Sequence, residues 1–294
     1  MPKDKTPEMP AEPEPTTVSA SPVASAGAPV ATDPQDSGPV PSAPQTPVAQ
    51  PMPVAPHAAG SQPAAWQWPS IHPESYRFAG MAGAIALVSF LAGWSFVGWV
   101  LVALTVFICA FFRDPKRASP AGDGLILSPA DGLVSQIVSV ELPRQLTGEG
   151  ALSPGTATRI SIFMSVFDVH INRAPIGGTV TRMAYVPGAF LNADLDKASE
   201  ENERQYFLIE GADGTRVGFT QIAGLVARRI VGFVREGSMV GMGQRVGLIR
   251  FGSRVDVFLP ADHAPQVLKG QRAVAGETVL ALKGAAPALP GAVQ

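Results

Sequence analysis

The residues with the clearest chemical potential are Gly252 and Ser253, inside Arg250-Phe251-Gly252-Ser253-Arg254-Val255-Asp256. Val246 and Leu248, then Val255 and Val257, alternate with polar or small neighbours, so the glycine–serine bond interrupts what reads as a strand. Gly252 has no Cβ, which opens its carbonyl to close approach and its backbone to angles closed to other residues. A serine hydroxyl next to such a carbonyl is placed to attack it, converting the amide into an ester in an intramolecular step favoured by proximity. The bland alternative is a glycine bulge followed by a surface serine.

Such an attack needs a base. His170 is one of four histidines, and His57 and His72 fall in or at the border of a proline-rich N-terminal stretch, so few other side chains can carry protons near neutral pH. Its neighbours Val169 and Ile171 also suit a purely structural histidine. Asp131 lies in a Pro-Ala-Asp-Gly turn, where an aspartate commonly bonds its own backbone. His263, beside Asp262 in a proline-flanked loop, is expected at the surface. The charged run that includes Asp194, Asp196, Lys197, Glu200, Glu201, Glu203 and Arg204 reads as a solvated face.

Three further segments accompany the Gly-Ser bond: Phe111-Phe112-Arg113-Asp114-Pro115, Leu127-Ser128-Pro129-Ala130-Asp131-Gly132, and residues 163–175, which contain Asp168-Val169-His170-Ile171-Asn172-Arg173. As an ordered set, over roughly residues 75–284, they resemble the short form of the phosphatidylserine decarboxylase proenzymes, a family of membrane-anchored, self-cleaving, pyruvoyl-dependent lyases. The resemblance implies cleavage between Gly252 and Ser253. Elimination from the ester releases the Gly252 carboxylate and leaves dehydroalanine, which tautomerises and hydrolyses, with loss of ammonia, to a covalent pyruvoyl group at position 253. Chains 1–252 and 253–294 are then expected to stay associated as a heterodimer, with no metal and no pyridoxal phosphate. The ketone would condense with a substrate amine and take up the electrons released as carbon dioxide leaves. The implied substrate is a membrane phospholipid, phosphatidylserine, and the product phosphatidylethanolamine.

Long-form members carry two histidines three residues apart in the central segment. Here the first matches His170, but the second position holds Arg173, which cannot act as a general base. Either His170 serves both maturation and turnover, or Asp131 deprotonates Ser253 directly, with Arg173 holding a carboxylate or phosphate in place, as a substrate or carboxylate contact. The favoured arrangement pairs His170 with Asp131. Phe190-Leu191-Asn192-Ala193 also matches a family segment and is expected to border the substrate site.

These residues need a scaffold, and the chain divides into four parts. Residues 1–72 hold more than half of the 29 prolines and almost no large aliphatics, too little apolar surface to offset the entropy of ordering, so a disordered Pro/Ala-rich tail is expected. Residues 73–117 are expected to anchor the protein, because 78–112 carry no charge. A turn at Gly93-Trp94-Ser95 suggests a helical hairpin, with a single tilted helix as the alternative. Arg77 on one side and Arg113, Lys116 and Arg117 on the other place both ends in the cytoplasm, hence a catalytic domain on the cytoplasmic face of the cell membrane. Residues 118–284 alternate in short stretches such as 158–164, 178–186 and 205–209, with Asp213-Gly214 as a hairpin turn, and a helix is suggested over 195–204. Residues 285–294 read as a flexible tail. The fold class is thus α+β, predominantly β.

The formal net charge of −2 gives no reason to expect nucleic acid as a partner, and a single cysteine, Cys109, excludes an intrachain disulfide. The competing reading is a membrane-tethered, lipoyl-like carrier or adaptor without decarboxylase activity, with Asp196-Lys197-Ala198 as the modified turn.

Overall fold

The computed structural model describes residues 68–188, 201–224, 229–250, 252–289 and 291. The tail before residue 68, Phe190 to Ala193 and Lys197 lie outside the described residues. Of the helix expected over 195–204 only the last four residues are described, and Arg204 already opens a strand.

The charge-free run forms two helices, α1 (Ser75–Leu91) and α2 (Ser95–Phe111), rather than one tilted helix. The turn falls where the sequence places it. Gly93 takes φ +78°, and paired bonds from Gly93 N–H to the Phe90 carbonyl (3.0 Å) and from Trp94 N–H to the Ser89 carbonyl (2.8 Å) close the end of α1. The helices pack closely because Gly98 leaves room for the Phe90 ring; a Cβ there would stand 2.6 Å from it. Ser89 and Thr105 donate their hydroxyls to carbonyls one turn back, which satisfies them without water. Much of the hairpin's outer surface is apolar and exposed, as at Met81, Leu87, Leu91, Phe96 and Trp99. Each helix has 17 residues, and among the described residues none is long and apolar enough to cross a membrane.

Both feet of the hairpin are tied. β1 (Ser70–Ile71), just before α1, pairs antiparallel with β2 (Arg113–Asp114), just after α2. Phe111 and Phe112 then bury themselves against Val169, Ile171 and Leu248 of the following domain.

That domain consists of β3 (Leu125–Leu127), β4 (Gly132–Glu141), β5 (Thr156–Met164), β6 (Ile171–Arg173), β7 (Gly178–Val186), β8 (Arg204–Glu210), β9 (Arg216–Ala223), β10 (Ile230–Gly232), β11 (Met239–Val240), β12 (Arg245–Ile249), β13 (Ser253–Leu259), β14 (His263–Pro265), β15 (Arg272–Ala273) and β16 (Val279–Lys283). The main sheet runs β11-β7-β8-β9-β13-β5-β4-β15, and two three-stranded sheets, β10-β12-β6 and β14-β16-β3, complete the fold. The Asp213-Gly214 turn joins β8 to β9 as expected, with Gly214 at φ +79° and the Asp213 carboxylate accepting the Thr215 N–H at 3.0 Å.

One expectation needs correction. The Gly-Ser bond does not interrupt a single strand: β12 and β13 belong to different sheets, and the bond lies where the chain passes from one to the other. The alternation along β13 is also not core against solvent. Val255, Val257 and Leu259 enter the main core with Ile160, Ile162, Val217 and Phe219, while the opposite face buries Arg254 paired with Asp256 at 2.9 Å. Every residue of β13 is buried.

Candidate functional site

Gly252 takes φ +69°, a left-handed conformation that strains any side chain-bearing residue, although a Cβ there would meet nothing within 4 Å. Backbone conformation rather than space therefore calls for glycine. Ser253, the first residue of β13, lies opposite Met164 of β5 and Ala223 of β9 and is fully buried. Its hydroxyl donates to Met164 Sδ at 3.3 Å, a weak acceptor that leaves the oxygen lone pairs uncommitted. Below it, Gln221 Nε2 donates to Asn172 Oδ1 at 2.7 Å, and Asn172 Nδ2 reaches the Pro129 carbonyl at 3.4 Å.

The carbonyl of Gly252, the one that Ser253 would attack, accepts the N–H of Gly224 at 3.0 Å. Gly224 directly follows β9, so a strand neighbouring β13 aims this donor. A backbone N–H in that position polarises the carbonyl and would stabilise the oxyanion formed on attack.

His170 borders the nitrogen of Gly252, on the other side of its Cα. The Gly252 N–H points at His170 Nε2 at 3.3 Å, and Nδ1 faces the Asp168 carbonyl at 3.0 Å. These partners assign the proton to Nδ1 and the accepting lone pair to Nε2, where it takes the N–H of Gly252, whose nitrogen is two covalent bonds from the Gly252 carbonyl carbon. Burial pulls the His170 pKa from 6.5 down to about 4, against the opposing pull of the Asp168 carbonyl and carboxylate. The imidazole is therefore a neutral acceptor near pH 7. Phe111, the last residue of α2, covers the ring at a centroid distance of 4.2 Å, which links the end of the hairpin to the histidine.

Asp168 holds the imidazole through its main chain, not its side chain. The carboxylate accepts the Ser165 N–H at 2.9 Å and hydroxyl at 2.8 Å, fixing the turn, and also pairs with Arg272. Arg272 lies beyond the Gly-Ser bond.

Asp131 is not joined to His170, which corrects the pairing favoured from sequence. One carboxylate oxygen binds Arg117 at 2.6 Å and the other accepts the Ala275 N–H at 2.7 Å. Burial pushes its pKa up, opposed by the Ala275 bond and by Arg117. The carboxylate thus fixes the segment after α2 and the turn before β16. It is neither bonded to Ser253 nor free to approach it.

Arg173 holds a carboxylate of the chain itself. Its guanidinium donates to the Gly243 carbonyl at 2.8 Å and the Pro115 carbonyl at 2.9 Å and lies 3.6 Å from Asp114. The carboxylate it holds belongs to the chain, in the linker after the hairpin, so a substrate contact is not supported. Arg173→Ala would leave the Gly243 and Pro115 carbonyls short of a donor in a buried setting, while Asp114 keeps Arg245 at 2.7 Å, and the expected loss is about 2 kcal/mol of stability, read as a lowered thermal midpoint with KM unchanged. A raised KM at an unchanged midpoint would restore Arg173 to the substrate site.

Two surface assignments also change. His263 is buried, with Nδ1 2.7 Å from Asp262, and Glu203 is buried, accepting the Ile230 N–H at 3.2 Å. Sequence reasoning missed Gly224, whose contribution is a backbone N–H without side-chain signature. It quoted Asp168 and Phe111 within motifs without giving either a role.

A sequence profile described as phosphatidylserine decarboxylase matches residues 104–281. The chain is 58% identical over 233 residues to the phosphatidylserine decarboxylase proenzyme of Novosphingobium aromaticivorans, covering 78% of this chain and 92% of that protein. It is 57% identical over 236 residues to the proenzyme of the same name from Erythrobacter litoralis, with 79% and 95% covered. The corresponding protein of Zymomonas mobilis is 56% identical over 220 residues, with 75% and 89% covered.

Proposed function

This chain belongs to the phosphatidylserine decarboxylase family of carboxy-lyases, and from that premise we propose that it cuts itself between Gly252 and Ser253 and then decarboxylates phosphatidylserine to phosphatidylethanolamine. One observation carries the choice of bond. A left-handed glycine, an N–H on its carbonyl and a neutral imidazole beside its nitrogen converge on the peptide that precedes a buried serine.

In this proposal Ser253 rotates off the Met164 sulfur and yields its proton to His170 Nε2, which releases the Gly252 N–H to accept it, while the Gly224 N–H holds the developing oxyanion. His170 is kept in the accepting tautomer by Asp168, and Asp131 is a positioning residue for the segments around it. The burial of Ser253 fits the pyruvoyl group that would replace it. A new serine N-terminus at this fully buried position would bring an ammonium out of water at high cost, whereas a pyruvoyl group is uncharged. When formed, that group supplies an electron sink for the substrate carbon that loses carbon dioxide. Phe111 and the core around Met164 then exclude water, and His170 remains beside position 253 to move a proton.

Residues 73–117 are the anchor and 118–284 the catalytic domain. The exposed apolar flanks of α1 and α2 support a hairpin that enters one leaflet of the cell membrane, with the domain on the cytoplasmic side. The two products of cleavage would remain one body, because β13 lies between β5 and β9 of the larger chain. No observation favours a carrier or adaptor.

The intact mass of the full chain under denaturing conditions, read beside decarboxylation of phosphatidylserine, tests the proposal. Two chains are expected, the smaller starting at position 253 and lighter than a serine start by the elements of ammonia. Active protein consisting of a single uncut chain would overturn it.

A further inference from the structure

At the base of the hairpin, between the start of α1 and the end of β12, lies a cavity of about 420 Å³ lined by His72, Glu74, Arg77, Arg229 and Arg250 among others. Its charge is lopsided, with three guanidiniums against one carboxylate. Glu74 is committed to Arg250, which also lies over the Phe78 ring at 5.3 Å. Arg77 and Arg229 are exposed, and among the described residues neither has an ion-pair partner. The Arg250 N–H bonds the Arg229 carbonyl at 3.2 Å, which holds these two residues side by side. His72 is fixed as well: its ring stacks on Phe233 at 5.0 Å, and Nδ1 accepts the Glu74 N–H at 3.3 Å, so the neutral ring carries its proton on Nε2.

The basic residues nearest the other foot do not compete for this role. Arg117 is spent on Asp131, and Arg113 donates to the Ala110 and Phe167 carbonyls. Arg77 and Arg229 bring two guanidiniums without an ion pair among the described residues to this cavity.

Its place selects the anion. Arg77 is the last charged residue before the apolar run, so with the hairpin in a leaflet the cavity sits at the depth of lipid phosphates. Arg250 precedes Ser253 by three residues, so their Cα atoms are at most about 10 Å apart. In phosphatidylserine an oxygen and two carbons separate phosphorus from the amine nitrogen that must reach position 253. The cavity and the reacting position are thus joined by a short stretch of chain.

We propose that this cavity binds the phosphodiester of the phospholipid substrate, with Arg77 and Arg229 donating to its unesterified oxygens; the proposal rests on the decarboxylase reading above. Guanidinium forks match phosphate geometry, and an anion with two such donors replaces water where Arg250 is already neutralised.

The test uses the full-length, matured protein and the double variant Arg77→Gln/Arg229→Gln, assayed on phosphatidylserine in nonionic detergent micelles. The variant is expected to be cut like the parent, with KM raised about tenfold and kcat changed far less. Glycerophosphoglycerol, a soluble phosphodiester with neither amine nor acyl chains, should compete with substrate in the parent and about tenfold less well in the variant. Lysine at both positions should restore most of the loss. An unchanged KM with unchanged competition overturns the cavity assignment while leaving the decarboxylase reading intact. Inorganic phosphate competing as well as the diester, and losing its effect in the variant, makes the cavity a free-phosphate site and also overturns it. A variant that fails to cut places the two arginines in maturation and counts against a headgroup role. A parent with neither cleavage nor turnover sinks the underlying function, and this proposal with it.

Discussion

Replacing Ser253 with alanine is expected to leave one uncut chain whose decarboxylation falls to background, a loss of at least about 10⁶-fold. The side chain is fully buried and, among the described residues, its only hydrogen bond is to the Met164 sulfur, so alanine removes one weak contact and occupies the same space. Stability should change by no more than about 1 kcal/mol. What disappears is both the nucleophile for the Gly252 carbonyl and the carbon skeleton from which the ketone is made. A single band on a denaturing gel, a parent-like thermal midpoint and no turnover would together exclude misfolding as the cause. A Ser253→Ala chain that still cleaves, or an uncut one that decarboxylates, rules out this bond as the source of the cofactor.

The second large effect is at His170. His170→Ala should slow maturation by about 10²- to 10⁴-fold, the usual contribution of a positioned general base. Alanine also removes the acceptor of the Gly252 N–H, so His170→Gln is the sharper variant, since an amide oxygen can take that bond yet cannot accept a proton at neutral pH. Parent-like cleavage in the glutamine variant would reduce His170 to a structural acceptor. Asp131→Asn keeps an acceptor for Ala275 and loses only the Arg117 ion pair, so its maturation should slow far less.

Burial gives the histidine a further signature. In the unfolded chain it binds a proton below about pH 6.5, but in the fold only below about pH 4. Between those values the unfolded state holds more protons, so stability falls as the pH is lowered through that window and levels off beneath it. Over the same range the folded imidazole remains a base. Maturation should therefore stay flat from about pH 8 to about pH 5, where an ordinary histidine base would already have failed near pH 6.5.

Much of this was legible in the sequence, for identifiable reasons. A charge-free run broken by Gly93 can satisfy its backbone only as helices, and Gly93 supplies the left-handed residue that ends the first. Gly252 and Ser253 stood out because they interrupt the alternation of Val246 and Leu248 with Val255 and Val257. The failures share a cause as well. β12 and β13 both alternate, and nothing in alternation says that adjacent strands enter different sheets. Arg254 and Asp256 occupy polar positions of the pattern, yet they neutralise each other inside the fold. His170 takes its orientation from a main-chain carbonyl and the scissile carbonyl takes its donor from a main-chain N–H, so no residue type could announce either. Arg173 looked available because its partners, Asp114 and Pro115, lie far upstream in the chain.

The short ribbon of β1 and β2 has a mechanical consequence. Two helices on loose feet would act as a leash, letting the domain wander above the bilayer by the length of its slack. Pairing Ser70 with Asp114 and Ile71 with Arg113 removes that slack. In the proposed anchoring the hairpin becomes a stilt of fixed working height, and Phe111 at its lower end rests on the His170 imidazole. An enzyme mounted this way does not haul lipid out of the membrane to meet a distant site. With the hairpin in a leaflet as proposed, it would tilt and diffuse in two dimensions with its chemistry held level with the headgroups.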